Sequence, residues 1–243
     1  MGMKPAKLNT SMIGVILSLA WPTMLEQAMQ TAVQYIDTAM VGTLGTQATA
    51  AVGATSTVSW LIGSSTAALG IGFLSFIARS YGAGNKKEAS RASAQSVLVV
   101  LIVGSLFTAL CLGLSKQVPV WMQVDPAIRA LTAQYFFILY APMLPRTAST
   151  VFGMVLRAAG DTKTPMKIGV AVNLINVVLN FLLIYPTRDL SILGMHFVMP
   201  GAGLGVVGAA LASAAAFTVG GIAITVVLWR HPVISPRGES IKP

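Results

Sequence analysis

The sequence predicts an all-α membrane protein, a six-transmembrane-helix bundle, on three observations. The chain of 243 residues is 55% hydrophobic and 9% charged, against roughly 25% charged in soluble proteins. Its apolar residues fall in six long blocks, and crossing about 30 Å of hydrocarbon at 1.5 Å per residue takes about 20 of them. The basic residues stand mostly between these blocks, where they orient a membrane protein.

The first block follows Lys4 and Lys7 and resembles a signal peptide over residues 12–20. The run continues past Pro22 to Gly42 without a small-residue cleavage site, so a retained first helix is expected over residues 11–42. The other five segments are expected at residues 48–81, 89–115, 126–158, 165–185 and 204–229. The first, second and fourth are longer than a perpendicular crossing needs, which predicts tilt, kinks or protruding ends. Turn chemistry separates them at Gly82-Ala83-Gly84-Asn85, at Gly160-Asp161 to Pro165, and at Pro200-Gly201 with Gly203. The division expected is a tail at 1–10, a transmembrane lobe at 11–230, and a second tail or the start of a linker at 231–243.

The charge excess is 16 Lys plus Arg over 7 Asp plus Glu, a net +9. Placing the N-terminus inside puts Lys4, Lys7, Arg79, Lys86, Lys87, Arg91, Arg157, Lys163, Lys167, Arg230, Arg237 and Lys242 on the cytoplasmic side. The outside receives Lys116, Arg129 and Arg188. This bias predicts cytoplasmic termini and argues against dual topology. It also gives the charge a role other than nucleic-acid binding. The single cysteine, Cys111, excludes a disulfide framework within the chain and a Cys-rich metal site.

Charged groups inside a membrane are costly, so each usually faces a cavity or a partner. Three are candidates for charge at mid-bilayer: Glu26 and Asp37 in the first helix and Arg146 in the fourth. At about 100° per residue, Gln30, Gln34 and Asp37 share one side of the first helix with Gln27. Such a stripe faces protein or water, either as a polar cavity or as interhelical glue. The fifth helix carries Asn173, Asn176 and Asn180, spaced three and four and therefore on one face. Amide oxygens suit a hard cation such as Na⁺. If the two stripes meet, Asp37 sits among amides as a carboxylate that H⁺ or Na⁺ could neutralise. Pro22 removes a backbone hydrogen bond and permits a kink, either static or responsive to the charge on Asp37. Glu26 and Arg146 could form a buried pair; Arg146 could instead attract anions or snorkel.

The last helix has small residues at every fourth position, Gly208, Ala212, Ala216 and Gly220, which suits close packing, with Ser213 beside them. Gly203 to Gly208 matches GxGxxG by letter, but no soluble strand precedes it and no acidic residue follows at about twenty positions, which excludes a dinucleotide site. His196 and His231 stand alone, in a loop and in the tail. Without paired catalytic groups or a metal-ligand cluster, no enzyme is expected.

These residues resemble the multidrug and toxic compound extrusion (MATE) transporters. The resemblance rests on Pro22, Glu26 and Gln30, then Asp37-Thr38-Ala39-Met40-Val41-Gly42, and on Gly82-Ala83-Gly84. It continues with Leu156-Arg157-Ala158-Ala159-Gly160-Asp161-Thr162-Lys163-Thr164-Pro165, Asn176 with Asn180, and the segment from Gly203 to Ser213, in family order over nearly the whole chain. Glu26 and the loop sequences look closer to the DinF-like than to the NorM-like branch. The resemblance implies an antiporter of the inner membrane that exchanges H⁺ or Na⁺ for amphipathic, often cationic drugs, with no other cofactor. It implies twelve helices in two six-helix lobes around a cleft. Asp37 matches the family's first-helix acid, and Pro22 the point near which that helix bends. Asn176 and Asn180 match the fifth-helix polar pair, the second of which is Asp in some members, and Ser213 stands where a hydroxyl completes the site. Gln30 matches a cavity-lining glutamine and Tyr140 a fourth-helix aromatic; Gln34, Glu26 and Arg146 are further cavity candidates. Arg146 departs from the pattern, since a fixed cation in the cleft would oppose cationic substrates.

The length also departs, for the chain ends where the family's first lobe does. A truncated half of a full-length transporter is expected, and a parallel homodimer could imitate the whole. Two other readings are a lipid-linked saccharide flippase of the same superfamily and a non-transporting lobe that binds a membrane partner. Flippases often line the cavity with several basic residues, and only Arg146 is available here.

Overall fold

The computed structural model describes residues 8–192 and 195–237. Five stretches in it are helical, long and apolar enough to cross a membrane: Met12–Gly42, Thr46–Gly82, Lys86–Leu114, Lys163–Leu183 and Gly205–Arg230. They belong to α1 (Leu8–Gly42), α2 (Thr46–Ala54) with α3 (Ser56–Gly82), α4 (Lys86–Leu114), α8 (Lys163–Leu183) and α9 (Gly205–Arg230). A short α5 (Val118–Trp121) follows α4.

The remaining crossing is made in two pieces, α6 (Arg129–Tyr140) and α7 (Met143–Ala158), interrupted at Ala141-Pro142. Proline cannot donate to the helix ladder, and Pro142 and Pro145 fall where the second piece begins, where a missing N–H costs least. The two pieces follow α9 in the opposite direction. Leu131 and Tyr135 of α6 pack near Val206 and Ala209, whereas Phe152 of α7 meets the ring of Trp229 edge-on at 6.4 Å. The bundle thus has six crossings, and the expected segments are correct in number and order.

Turn chemistry sets the connections. Gly84 adopts φ +79°, a left-handed conformation that favours glycine. Asn85 then caps α4: its side chain accepts from the Glu88 backbone N–H at 3.2 Å and donates to the Glu88 carboxylate at 2.8 Å. At the far end of α8, Gly203, Leu204 and Gly205 donate their backbone N–H groups to Tyr185, Leu183 and Ile184, at 2.9, 2.9 and 3.0 Å. These carbonyls belong to the end of α8, where helical partners run out. The glycine-rich stretch is therefore a helix cap.

Between α8 and α9 stands an antiparallel hairpin of β1 (Pro186–Ile192) and β2 (Met195–Ala202). By sequence alone this stretch reads as a loop that carries His196. His196 instead stands in β2, opposite Ser191.

Most basic residues of the helices gather at one end, here called the basic end: Arg79 closes α3, Lys86, Lys87 and Arg91 open α4, Arg157 closes α7, Lys163 and Lys167 open α8, and Arg230 closes α9. A core of Ile77, Val151, Val155, Leu156 and Leu228 fills that end, and Ile234 beyond α9 is fully buried in it. A second core joins Met40, Val41, Ile184 and Val206 at the opposite end. Cys111 lies in a third with Phe136, Tyr140 and Met143. The ridge of Gly208, Ala212, Ala216 and Gly220 is buried along α9. It faces α8 closely enough that a Cβ on Gly208 would strike the Leu183 carbonyl, and one on Gly220 would lie 2.7 Å from Val172.

Candidate functional site

The α8 stripe and the α1 stripe meet. Asn180 is 1% exposed and donates its side-chain amide to Oδ1 of Asp37 at 2.5 Å. Asn176, one turn earlier, places its amide 3.1 Å from both carboxylate oxygens of Asp37 and 3.1 Å from the Ser213 hydroxyl of α9. With its nitrogen turned to the carboxylate, Asn176 donates to Asp37 and accepts from Ser213 through its oxygen. Three helices therefore converge on one carboxylate. Asn173 shares the face but takes no part in these bonds.

The oxygen of Asn180 is buried without a donor. It is an unused hard oxygen of the kind alkali and alkaline-earth ions take, on the same side chain whose nitrogen meets the carboxylate. No group of three or more His, Cys, Asp or Glu side chains occurs among the described residues. The donor set at Asp37 is thus one of oxygens, suited to a proton or a hard monovalent cation and ill suited to a thiophilic or imidazole-binding metal.

Tyr185 closes the same end. Its hydroxyl lies 3.0 Å from that of Thr43 and 3.3 Å from the Met40 carbonyl, tying the start of the hairpin to the end of α1. Tyr185 was not among the expected residues. Its only sequence signal is an aromatic hydroxyl at the boundary of an apolar block.

Other expected residues lie elsewhere. Gln30 and Gln34 are exposed, and neither takes part in the bonds around Asp37. Pro22 is buried, and α1 runs through it. Tyr140 is fully buried in the third core, its ring 4.6 Å from that of Phe136; it lines no open surface of this lobe. Glu26 does not pair with Arg146. It accepts from the Arg157 guanidinium at 2.5 Å, a link from α1 to the basic end of α7. Gly169 of α8 makes room for it, since a Cβ there would lie 3.0 Å from the Glu26 carboxylate. Arg146 lies against the faces of Tyr140 and Phe217, 5.2 and 4.4 Å from their centroids. A pair is one option that two opposite charges within apolar blocks leave open. Their depths differ: Glu26 shares a level with Gly169 and Arg157 toward the basic end, whereas Arg146 stands among the aromatics of α6 and α9, where ring faces offer it an electrostatic partner.

A family model described as MatE matches residues 22–182, two thirds of the chain and the whole of the α1–α8 pairing. The chain belongs to the MatE family. Over 228 residues it is 27% identical to the probable multidrug resistance protein NorM of Thermotoga maritima, an alignment covering 94% of this chain and 47% of that protein. Among solved structures it resembles a MATE protein in complex with MaD3S, with TM-score 0.84 and 28% identity over 94% of this chain and 49% of that one. It also resembles a transporter of the MOP superfamily from Pyrococcus furiosus, described as having a binding pocket of reverse polarity, with TM-score 0.81 and 27% identity over 94% and 48% of the two chains. The chain spans about half the length of the relatives it matches. MatE proteins are membrane transporters and not enzymes, and these six helices correspond to one half of such a protein.

Proposed function

We propose that this MatE lobe carries the ion site of a secondary antiporter that exports amphipathic organic cations in exchange for H⁺ or Na⁺. The observation that supports it is the single carboxylate of Asp37 held between α1 and the asparagines of α8. The Asn176 amide can turn either edge toward Asp37. Its nitrogen suits an ionised carboxylate; its oxygen suits a protonated carboxylate, or one sharing a cation, because two bare acceptors repel. Loading and unloading the ion would then rearrange the bonds that hold the outer end of α1. Pro22, fifteen positions earlier in the same helix, supplies the place where α1 can bend. Ser213 follows the amide as donor or acceptor.

The substrate path is assigned to the side of α1 that carries Gln30 and Gln34. In this lobe that side is open, and α1 exposes apolar residues along most of its length, among them Ile13, Leu17, Met24 and Tyr35. We assign this face to the cleft shared with a second lobe, supplied by another chain or by a second copy in parallel orientation. Both termini are assigned to the cytoplasm of a cell with the protein in its inner membrane.

The test uses the chain fused to, or coexpressed with, a second MatE lobe that together confer efflux of a fluorescent organic cation. Asp37→Asn should abolish ion-driven efflux while the protein inserts at its normal level. Efflux that persists unchanged would overturn the proposal.

A further inference from the structure

A narrow groove runs along the bundle surface between α4, α7 and α9, walled by Leu101, Leu144, Ile222 and Val226, floored by Ala148, and closed toward the basic end by Trp229. Its volume is 310 Å³. From Gly221 to Trp229 it follows α9 for about 12 Å at about 1.5 Å per residue. Its lining is almost wholly apolar and suits a hydrocarbon chain. The groove exists because Gly221 packs directly on the Pro145 backbone, leaving no side chain to fill the seam between α7 and α9.

The groove does not end in solvent. Thr225, Val226 and Trp229 are shared with a second cavity of 260 Å³, whose other walls are Arg230 and Arg237. Neither arginine forms an ion pair among the described residues. Arg237 owes its position to the docked tail. Ser235 donates to the Trp229 carbonyl at 2.8 Å, and Ser90 of α4 donates to the Ser235 carbonyl at 3.1 Å. The side chain of Ile234 is fully buried beneath them. The apolar groove thus continues past Trp229 to two exposed guanidinium groups where α9 ends, beside a tryptophan of the kind that marks the headgroup region.

We propose that this groove and the arginine pair form a binding site for an anionic phospholipid of the leaflet at the basic end, with an acyl chain along α9 and its phosphate between Arg230 and Arg237. Guanidinium groups suit phosphate through paired N–H donors, and a zwitterionic headgroup gains less from them than an anionic one. The site lies away from α1 and from Asp37. It is independent of the ion-coupling proposal.

The test places the chain in nanodiscs of equal phosphatidylglycerol and phosphatidylcholine, extracts it gently, and counts retained lipids by native mass spectrometry. The wild type should retain phosphatidylglycerol at least about fivefold over phosphatidylcholine, the scale of attraction of one basic residue to anionic lipid. Arg230→Gln with Arg237→Gln should bring the ratio to parity. Ile222→Trp, at an exposed position on the groove wall, should lower total retention with both arginines intact; Leu101→Trp repeats this from α4 should the first variant misfold. Equal retention of the two lipids by the wild type overturns the proposal, as does a ratio unmoved by the arginine variant. Release of the lipid by millimolar inorganic phosphate would mark a free-anion site instead, and would overturn it too.

Discussion

Single residues decide how closely the helices of this lobe approach. Gly208 is the sharpest case, because its α-carbon faces the backbone of Leu183, and backbone cannot yield as a side-chain tip can. Gly208→Ala must push α9 off α8, and overpacking of this sort costs about 1–3 kcal/mol, sometimes more. Gly72 of α3 provides the control, since no atom lies within 4 Å of where its Cβ would stand. Gly72→Ala should stay within about 1 kcal/mol of wild type, with any change in the stabilising direction. Thermal unfolding in one detergent, followed by helix signal, should separate the two clearly; equal midpoints would contradict the close approach. The same contrast shows what was legible at this scale. The every-fourth-residue ridge announced close packing, but which small residue met backbone and which met open space depends on a neighbour 25 positions away. For the site itself, Asp37, Asn176 and Asn180 could be named from spacing, because polar groups on one helical face inside an apolar block have few places to go, whereas Ser213 came only with the family resemblance. Arg157 could not, since a basic residue beside a loop reads as a surface charge.

At the scale of elements, α1 is held to the bundle at three levels: Tyr185 at the end opposite the basic end, Asp37 within, and Glu26 toward the basic end. The Glu26–Arg157 pair is more than a surface contact, with both side chains about four-fifths buried. Removing one partner leaves the other charge poorly solvated. Glu26→Gln should therefore cost about 1–3 kcal/mol, short of the penalty for a fully buried pair. It should also raise hydrogen exchange in α1 around Glu26 while leaving exchange near Asn180 unchanged; no local rise would show that the pair does not anchor α1. The tail after α9 is a second element with its own switch. Nδ1 of His231 accepts from the backbone N–H groups of Val233 and Ile234 at 3.3 and 3.2 Å, which requires an unprotonated nitrogen. Burial holds this imidazole below its ordinary value of 6.5, with nearby Asp161 pulling weakly the other way. A lowered value means that the folded tail disfavours the proton. Its docking is complete above about pH 6.5 and is lost as pH falls through the lowered value. Exchange protection of residues 232–237 should drop in that acid window, and His231→Phe should remove the pH dependence. The hairpin of β1 and β2 was invisible beforehand for a related reason: short strands outside the membrane leave a weak period beside long apolar helices.

The whole molecule is ordered by where its charges went. Hydrophobic blocks specified six crossings, and even the divided one, α6 with α7, was countable because its apolar content outlasts the break at Ala141-Pro142. What the blocks could not specify was the pairing of helices, since lipid-facing and protein-facing apolar residues look alike in sequence; the exposed rows of α1 and the buried ones of α7 are equally hydrophobic to the eye. Charge does what hydropathy cannot. Nine lysines and arginines from Arg79 to Arg237 gather at the basic end, against Lys116, Arg129 and Arg188 at the other. Translocating the richer end would carry more positive charge across the membrane, so the basic end should face the cytoplasm. Because Cys111 is the only cysteine and lies buried, Cys111→Ser gives a background in which single cysteines report sidedness. Lys116→Cys should then react with a membrane-impermeant maleimide on intact cells, whereas Lys87→Cys should react only after permeabilisation. The reverse pattern would place the basic end, and with it the arginine pair, at the outer leaflet. Labelling of both positions on intact cells would mean that the chain inserts in two orientations, and that the charge excess is too weak to choose between them.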